Sequence, residues 1–158
     1  MSFAKDPHRT LPLPVPRGDA RSFTGRIREI AEVLSGHSGV QAIFLFGSHA
    51  TGKARPDSDV DIGVVPAVGA SPGLRLELLI LLAGAGHDHV DLVLLDTAVL
   101  VVRFEVIRHN KLLWAAPDFD RGSFVSRVTR EYLDFEPVLQ RQREALRRRM
   151  EGARHGSV

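Results

Sequence analysis

Asp59 and Asp61, in the run SDVDIGVV, stand two residues apart where the chain turns β-branched and Gly-interrupted, so a strand over residues 59–65 projects both carboxylates to one side. Two carboxylates on one face of an otherwise apolar sheet repel each other and lose hydration, which is costly unless a cation joins them. Mg2+ meets that demand, because it takes hard oxygen ligands and commonly completes its octahedron with water and substrate phosphates. A third carboxylate, Asp91, lies inside the apolar run HVDLVLL, with His89 on the same face. Asp88 and Asp96 flank it, yet only Asp91 sits where a carboxylate without a task is expensive. Gly47 and Ser48 follow another apolar run, VQAIFLF, and the N–H groups of a short helix there, with the Ser48 hydroxyl, suit an anion. Phosphate donors on one side and three carboxylates on the other are the equipment of nucleotidyl transfer. Two metal ions would hold the attacking and leaving oxygens, and Asp91 would take the acceptor's proton.

Two rival patterns claim the same residues. Gly47, Gly52 and Lys53 fit the phosphate loop G-x-x-x-x-G-K-[ST] except at its last position, where Ala54 has no oxygen to offer a metal. That loop also opens a long helix, whereas Arg55-Pro56 disfavours helix within two residues of Lys53. A calcium loop beginning at Asp57 needs Gly at its sixth position and a carboxylate at its twelfth, and these positions hold Ile62 and Val68. Both patterns are excluded.

The elements that must position these residues follow from periodicity. Phe23, Ile27, Ile30, Ala31 and Leu34 recur at helical spacing from about Asp19, and the run SGHSG ends the helix. VQAIFLF reads as a buried strand, 59–65 as a second strand, 72–84 as a Leu-rich helix with Pro72 near its first turn, and 89–95 as a third strand. A helix over 98–108, a turn at His109-Asn110 and a short strand over 111–114 complete the pattern. A long helix then runs from Asp118, a candidate N-cap, to about Met150, with Pro137 expected to kink or divide it. Alternating strands and helices predict an α/β fold, a small mixed sheet covered by helices. The expected organisation is a flexible Pro-rich arm over 1–17, a domain over 18–117, and a C-terminal helix with an Arg-rich tail over 118–158.

Composition bounds the function. A chain of 158 residues with 44% hydrophobic and 25% charged residues is the size and make-up of one globular domain. No apolar run reaches the roughly 18 residues that span a bilayer, and the N-terminus lacks the pattern of a secretion signal, so a cytoplasmic, membrane-free protein is expected. The absence of cysteine excludes disulfides, thiolate metal sites and a cysteine nucleophile. A net charge of +2 does not call for nucleic acid, although the run RQREALRRRMEGAR forms either a solvated helix face or a surface for an acidic partner.

The segment GSHATGKARPDSDVDIGV resembles the signature of the nucleotidyltransferase superfamily typified by DNA polymerase β, specifically its minimal nucleotidyltransferase (MNT) branch. In that family a G-S pair after the first strand precedes D-x-D on the second, and a third acidic residue lies on a later strand. Gly47 and Ser48, Asp59 and Asp61, and Asp91 take those positions here. FEVIR at 104–108 and REYLDFEP at 130–137 resemble the MntA-type antitoxins of MNT–HEPN toxin–antitoxin modules, so the likeness covers most of 36–150. The resemblance implies an Mg2+-dependent transfer of AMP from ATP to a tyrosine of a HEPN-domain ribonuclease toxin, with a hetero-oligomer of the two as its setting. It implies metal ligation by Asp59, Asp61 and Asp91, and phosphate contact by Gly47 and Ser48. Many members carry Arg where this chain has His49, and histidine contacts phosphate as a cation only when protonated, which turns attention to Lys53 or Arg55 for the triphosphate. Two other readings stand beside it: an antitoxin that only masks its toxin by binding, and a small-molecule nucleotidyltransferase of the antibiotic-modifying kind. The intact aspartates favour catalysis over masking, and the lack of a second acceptor-binding domain disfavours the small-molecule reading.

Overall fold

The computed structural model describes residues 23–55 and 58–155. The Pro-rich arm, the expected helix onset at Asp19, and Pro56-Asp57 lie outside the described residues. The chain divides into two compact units, one ending at Asp120 and one beginning at Arg121.

In the first unit the order is α1 (Phe23–Ser35), β1 (Val40–Phe46), α2 (Gly47–Thr51), β2 (Val60–Pro66), α3 (Leu74–Gly84), β3 (Val90–Leu94), α4 (Leu100–His109) and β4 (Lys111–Ala115). The apolar runs VQAIFLF, DIGVV and VDLVL lie in strands, while the Leu-rich run over 78–83 lies in helix α3. α4 ends where Asn110 adopts a left-handed conformation with φ of 53°, a position open to Asn because its short polar side chain tolerates that region.

The four strands form one mixed sheet in the order β3-β2-β1-β4. β1 lies antiparallel to both β2 and β4, while β2 and β3 are parallel. A parallel pair needs a crossover, and α3 supplies it. Because strand side chains alternate in direction, β2 presents Val60, Ile62 and Val64 to one face and Asp61, Gly63 and Val65 to the other. The first face packs with Ile27, Ile30 and Leu34 of α1 and Leu74, Leu78 and Leu82 of α3 into one buried cluster. α4 covers the second face closely at Gly63, where an added Cβ would lie 2.9 Å from Val106 Cγ1. Arg75 of α3 donates from Nε to the Leu92 carbonyl at 2.9 Å, tying the crossover helix to edge strand β3.

The second unit is α5 (Arg121–His155), a helix of 35 residues. It begins three residues after Asp118, so Asp118 is not its cap. It also continues through Pro137 rather than dividing there. The proline removes one N–H from the ladder, and Arg141 Nε donates to the Pro137 carbonyl at 3.2 Å. Among the described residues no helix is long and apolar enough to cross a membrane.

Candidate active site

The site lies where β1 ends and β2 begins, on the face of the sheet that α4 covers. At the end of β1 the chain passes into α2 through Gly47, whose φ of 67° is a left-handed value that favours glycine. A second requirement also fixes glycine there. A Cβ on Gly47 would collide with Asp61 Oδ2 and lie 2.7 Å from Asp61 Cγ. The bare backbone lets the Asp61 carboxylate lie against the turn, where the Ser48 N–H donates to it. The sequence assigns the N–H groups here to an anion, and in the fold the Ser48 N–H faces the carboxylate.

α2 is five residues long and stops at Gly52, which is left-handed with φ of 72°. Thr51 Oγ1 donates to the Ser48 carbonyl at 3.0 Å, and the Lys53 N–H donates to the same oxygen at 3.0 Å. A phosphate loop opening a long helix is therefore absent from this segment. The Lys53 and Arg55 side chains are exposed. His49 stacks on Phe23 of α1, with ring centroids 4.3 Å apart and planes 14° from parallel. Its Nε2 lies 3.0 Å from the Ser58 carbonyl, and since a carbonyl only accepts, that nitrogen carries the proton.

Asp61 and Asp91 are paired residues of parallel strands β2 and β3. Asp88 and Asp96 fall outside β3, and Asp96 accepts from the Thr97 N–H at 2.8 Å. Asp91 itself is exposed, so the burial cost expected of a carboxylate in an apolar run does not arise there. Burial pushes the Asp61 carboxyl above its ordinary range, the nearby charge of Asp91 pushes it further, and Asp59 adds to this. His49 and the Ser48 N–H pull the other way. A carboxylate so crowded by like charge is one a cation would relieve.

Asp59 departs from the expected position. It immediately precedes β2 rather than lying in it, and its exposed carboxylate stands 3.5 Å from His89 Nδ1. Among the described residues no group of three His, Asp or Glu side chains is arranged to hold an ion. The expected three-carboxylate cluster is thus an adjacent pair, Asp61 with Asp91, and an outlying third. Like charges separate, and Asp59, unconstrained by the pleat, has the freedom to lean to His89. The chemistry of the three aspartates suits Mg2+, since three carboxylates on adjoining segments, two of them in register, offer hard oxygens.

Phe23 and Ser58 are the positions that sequence reasoning missed. Phe23 reads only as an apolar helix position and Ser58 only as a loop residue, and no local pattern links either to His49.

Residues 28–118 match the family described as polymerase β nucleotidyltransferase. The protein adenylyltransferase MntA of Shewanella oneidensis is 38% identical over 81 residues, which are 51% of this chain and 58% of that protein. The chain thus spans less than two thirds of that relative's length. A chain from a crystal structure of a toxin–antitoxin with AMP-PNP superposes with a TM-score of 0.59 at 30% identity, covering 80% of this chain and 97% of its own. A second, from a tri-AMPylated Shewanella oneidensis HEPN toxin in complex with its MNT antitoxin, gives a TM-score of 0.54 at 28% identity and covers 80% and 94%. The match at 28–118 takes in Gly47, Ser48, Asp59, Asp61 and Asp91 together with all four strands that carry or flank them, and the chain belongs to the polymerase β nucleotidyltransferase family.

Proposed function

We propose that this chain is an adenylyltransferase antitoxin that transfers AMP from ATP to a tyrosine of a partner HEPN-domain ribonuclease and so silences it. The observation that carries this reading is the side-by-side register of Asp61 and Asp91 beneath the Gly47-Ser48 turn. The acceptor hydroxyl oxygen attacks the α-phosphorus of ATP, the bond to the bridging oxygen breaks, pyrophosphate leaves, and Asp91 takes the hydroxyl proton. Asp61 and Asp91, joined by Asp59, are the residues that would hold Mg2+. When bound, Mg2+ supplies charge neutralisation to the triphosphate and polarises the reacting oxygens. Gly47 lets the backbone approach the phosphates, and exposed Lys53 and Arg55 are cations available to the triphosphate. The likeness to the Shewanella oneidensis adenylyltransferase and to the AMP-PNP and AMPylated-toxin structures supports the nucleotide and the acceptor.

The test is incubation of the chain with Mg2+, the protein encoded beside it, and ATP labelled at the α- or the γ-phosphate. Label from the α-position should reach a tyrosine of the partner, and Asp61→Ala should lower the rate by roughly a hundredfold or more. Transfer from the γ-position would overturn the reading. Co-purification of the two proteins with a silent ribonuclease and no transfer of either label would favour masking instead.

A further inference from the structure

His49 holds the position where the family resemblance leads one to look for a phosphate-contacting cation, yet its ring is already engaged on both its flat face and its outer edge. The flat face is taken up by Phe23 at 4.3 Å, and Nε2–H donates to the Ser58 carbonyl at 3.0 Å. Ser58 is the residue before Asp59, the least constrained of the three aspartates. Ser58 is further tied to its own loop, since its N–H donates to the Arg55 carbonyl at 3.1 Å and its Oγ accepts from the Arg55 N–H at 2.9 Å. Those bonds are local to the loop. The bond from His49 spans nine residues and joins the loop to α2, which packs on β2 and α4. On the far side, the Val60 N–H donates at 3.0 Å to the carbonyl of His89, the residue before β3, so Asp59 lies between a point fixed to α2 and a point fixed at the start of β3.

We infer that His49 is a positioning residue, whose Nε2–H bond to the Ser58 carbonyl, backed by the Phe23 ring, sets where the Asp59 carboxylate is delivered relative to Asp61 and Asp91. This rests on the adenylyltransferase reading for its catalytic consequence, but the anchor itself does not. The role differs from a phosphate contact: it needs only the Nε2–H donor, and it acts on the metal-binding side of the site rather than on the triphosphate.

Three variants of the full-length protein separate the contributions. His49→Phe keeps the aromatic face against Phe23 and loses the donor, His49→Gln keeps a donor of similar reach and loses the ring, and His49→Arg supplies a permanent cation. Hydrogen exchange of the backbone amides of Ser58 and Val60 is read without substrate, and Mn2+ binding is read by electron paramagnetic resonance. In His49→Phe both amides should exchange about threefold to tenfold faster, the range one neutral hydrogen bond supplies. Mn2+ affinity should fall by a similar factor, and His49→Gln should recover both to within about twofold of wild type. In AMP transfer, the Mg2+ concentration for half-maximal rate should rise in His49→Phe while the KM for ATP stays put. Unchanged exchange in His49→Phe overturns the anchor. A raised KM for ATP in His49→Phe and His49→Gln, restored by His49→Arg, overturns positioning in favour of phosphate contact. If the wild type transfers no AMP, the adenylyltransferase reading fails by itself, and the exchange and Mn2+ results still decide the anchor.

Discussion

Asp61 bears burial and two neighbouring carboxylates at once, and its pH dependence follows from that. A folded-state pKa above the ordinary 3.8 means that between these two values the folded chain binds more protons than the unfolded chain. Stability is then full below that window and falls as pH rises through it. In chelator-containing buffer, the melting temperature of the wild type should show this loss, and Asp61→Asn, which cannot ionise, should lack it. Parallel pH profiles for the two proteins would refute the assignment. Gly47→Ala tests the same contact from the other side. The left-handed φ costs about 1 kcal/mol for alanine, and the collision forces the Asp61 carboxylate off Ser48 and away from its place beside Asp91. Under the proposed adenylyltransferase reading, AMP transfer should fall at least tenfold, more than the small loss of melting temperature explains. Much at this scale was legible in the sequence. Gly47 and Ser48 form the turn that the end of an apolar strand implies, a local property, whereas the meeting of Asp61 with Asp91 depends on the alignment of β2 with β3. The anchoring of His49 was not legible, since it depends on Phe23 and Ser58, brought to it by the packing of α1 and the path of the loop.

Gly63 is the element-scale counterpart of Gly47. It stands two residues beyond Asp61 on the same face of β2, where α4 rests with Val106 Cγ1 2.9 Å from any added Cβ. Gly63→Ala must open the spacing between β2 and α4, and overpacking of this kind costs about 1–3 kcal/mol. The expected result is a lower denaturation midpoint with an unchanged m-value, partly restored by adding Val106→Ala, because the two side chains compete for one space. Pro137→Ala works in the opposite direction. It restores one backbone donor inside α5 and should raise the helix signal and the melting temperature, provided the new N–H finds the Leu133 carbonyl four residues back. Elements marked by strong periodicity were readable: β1, α3, β3, α4 and β4 lie within a few residues of where spacing puts them, and α1 ends at Ser35, where the run SGHSG begins. Boundaries set by hydrogen bonding were less so. Asp118 has the residue type of a cap but α5 begins at Arg121, and Asp59 has the spacing of a strand residue but β2 begins at Val60.

For the molecule as a whole, local stability should follow burial. Residues 141–151 of α5 are exposed throughout, including Leu146 at 59% and Met150 at 61%, and a helix end without buried contacts opens first. Among the described residues, trypsin should cut earliest at Arg143, Arg147, Arg148 and Arg149, and loss of the segment beyond them should shift the melting temperature by no more than roughly 3 °C. Early cleavage inside 40–66 instead would contradict this order. The fold class was legible as alternating strands and helices, whereas the order β3-β2-β1-β4 was not, because neither the direction nor the neighbour of a uniformly apolar strand is written in its own residues. That order has a consequence for refolding. Asp61 meets Asp91 only in one alignment of β2 with β3; a slip of one residue brings Val90 or Leu92 alongside and turns Asp91 to the opposite face. Such a chain would turn Asp91 toward the apolar cluster and Leu92 away from it, a costly exchange that favours the native alignment, and any slipped molecule would be chemically silent. The specific activity of a refolded preparation therefore counts the molecules whose sheet has zipped in the native alignment, a quantity that secondary-structure content cannot distinguish.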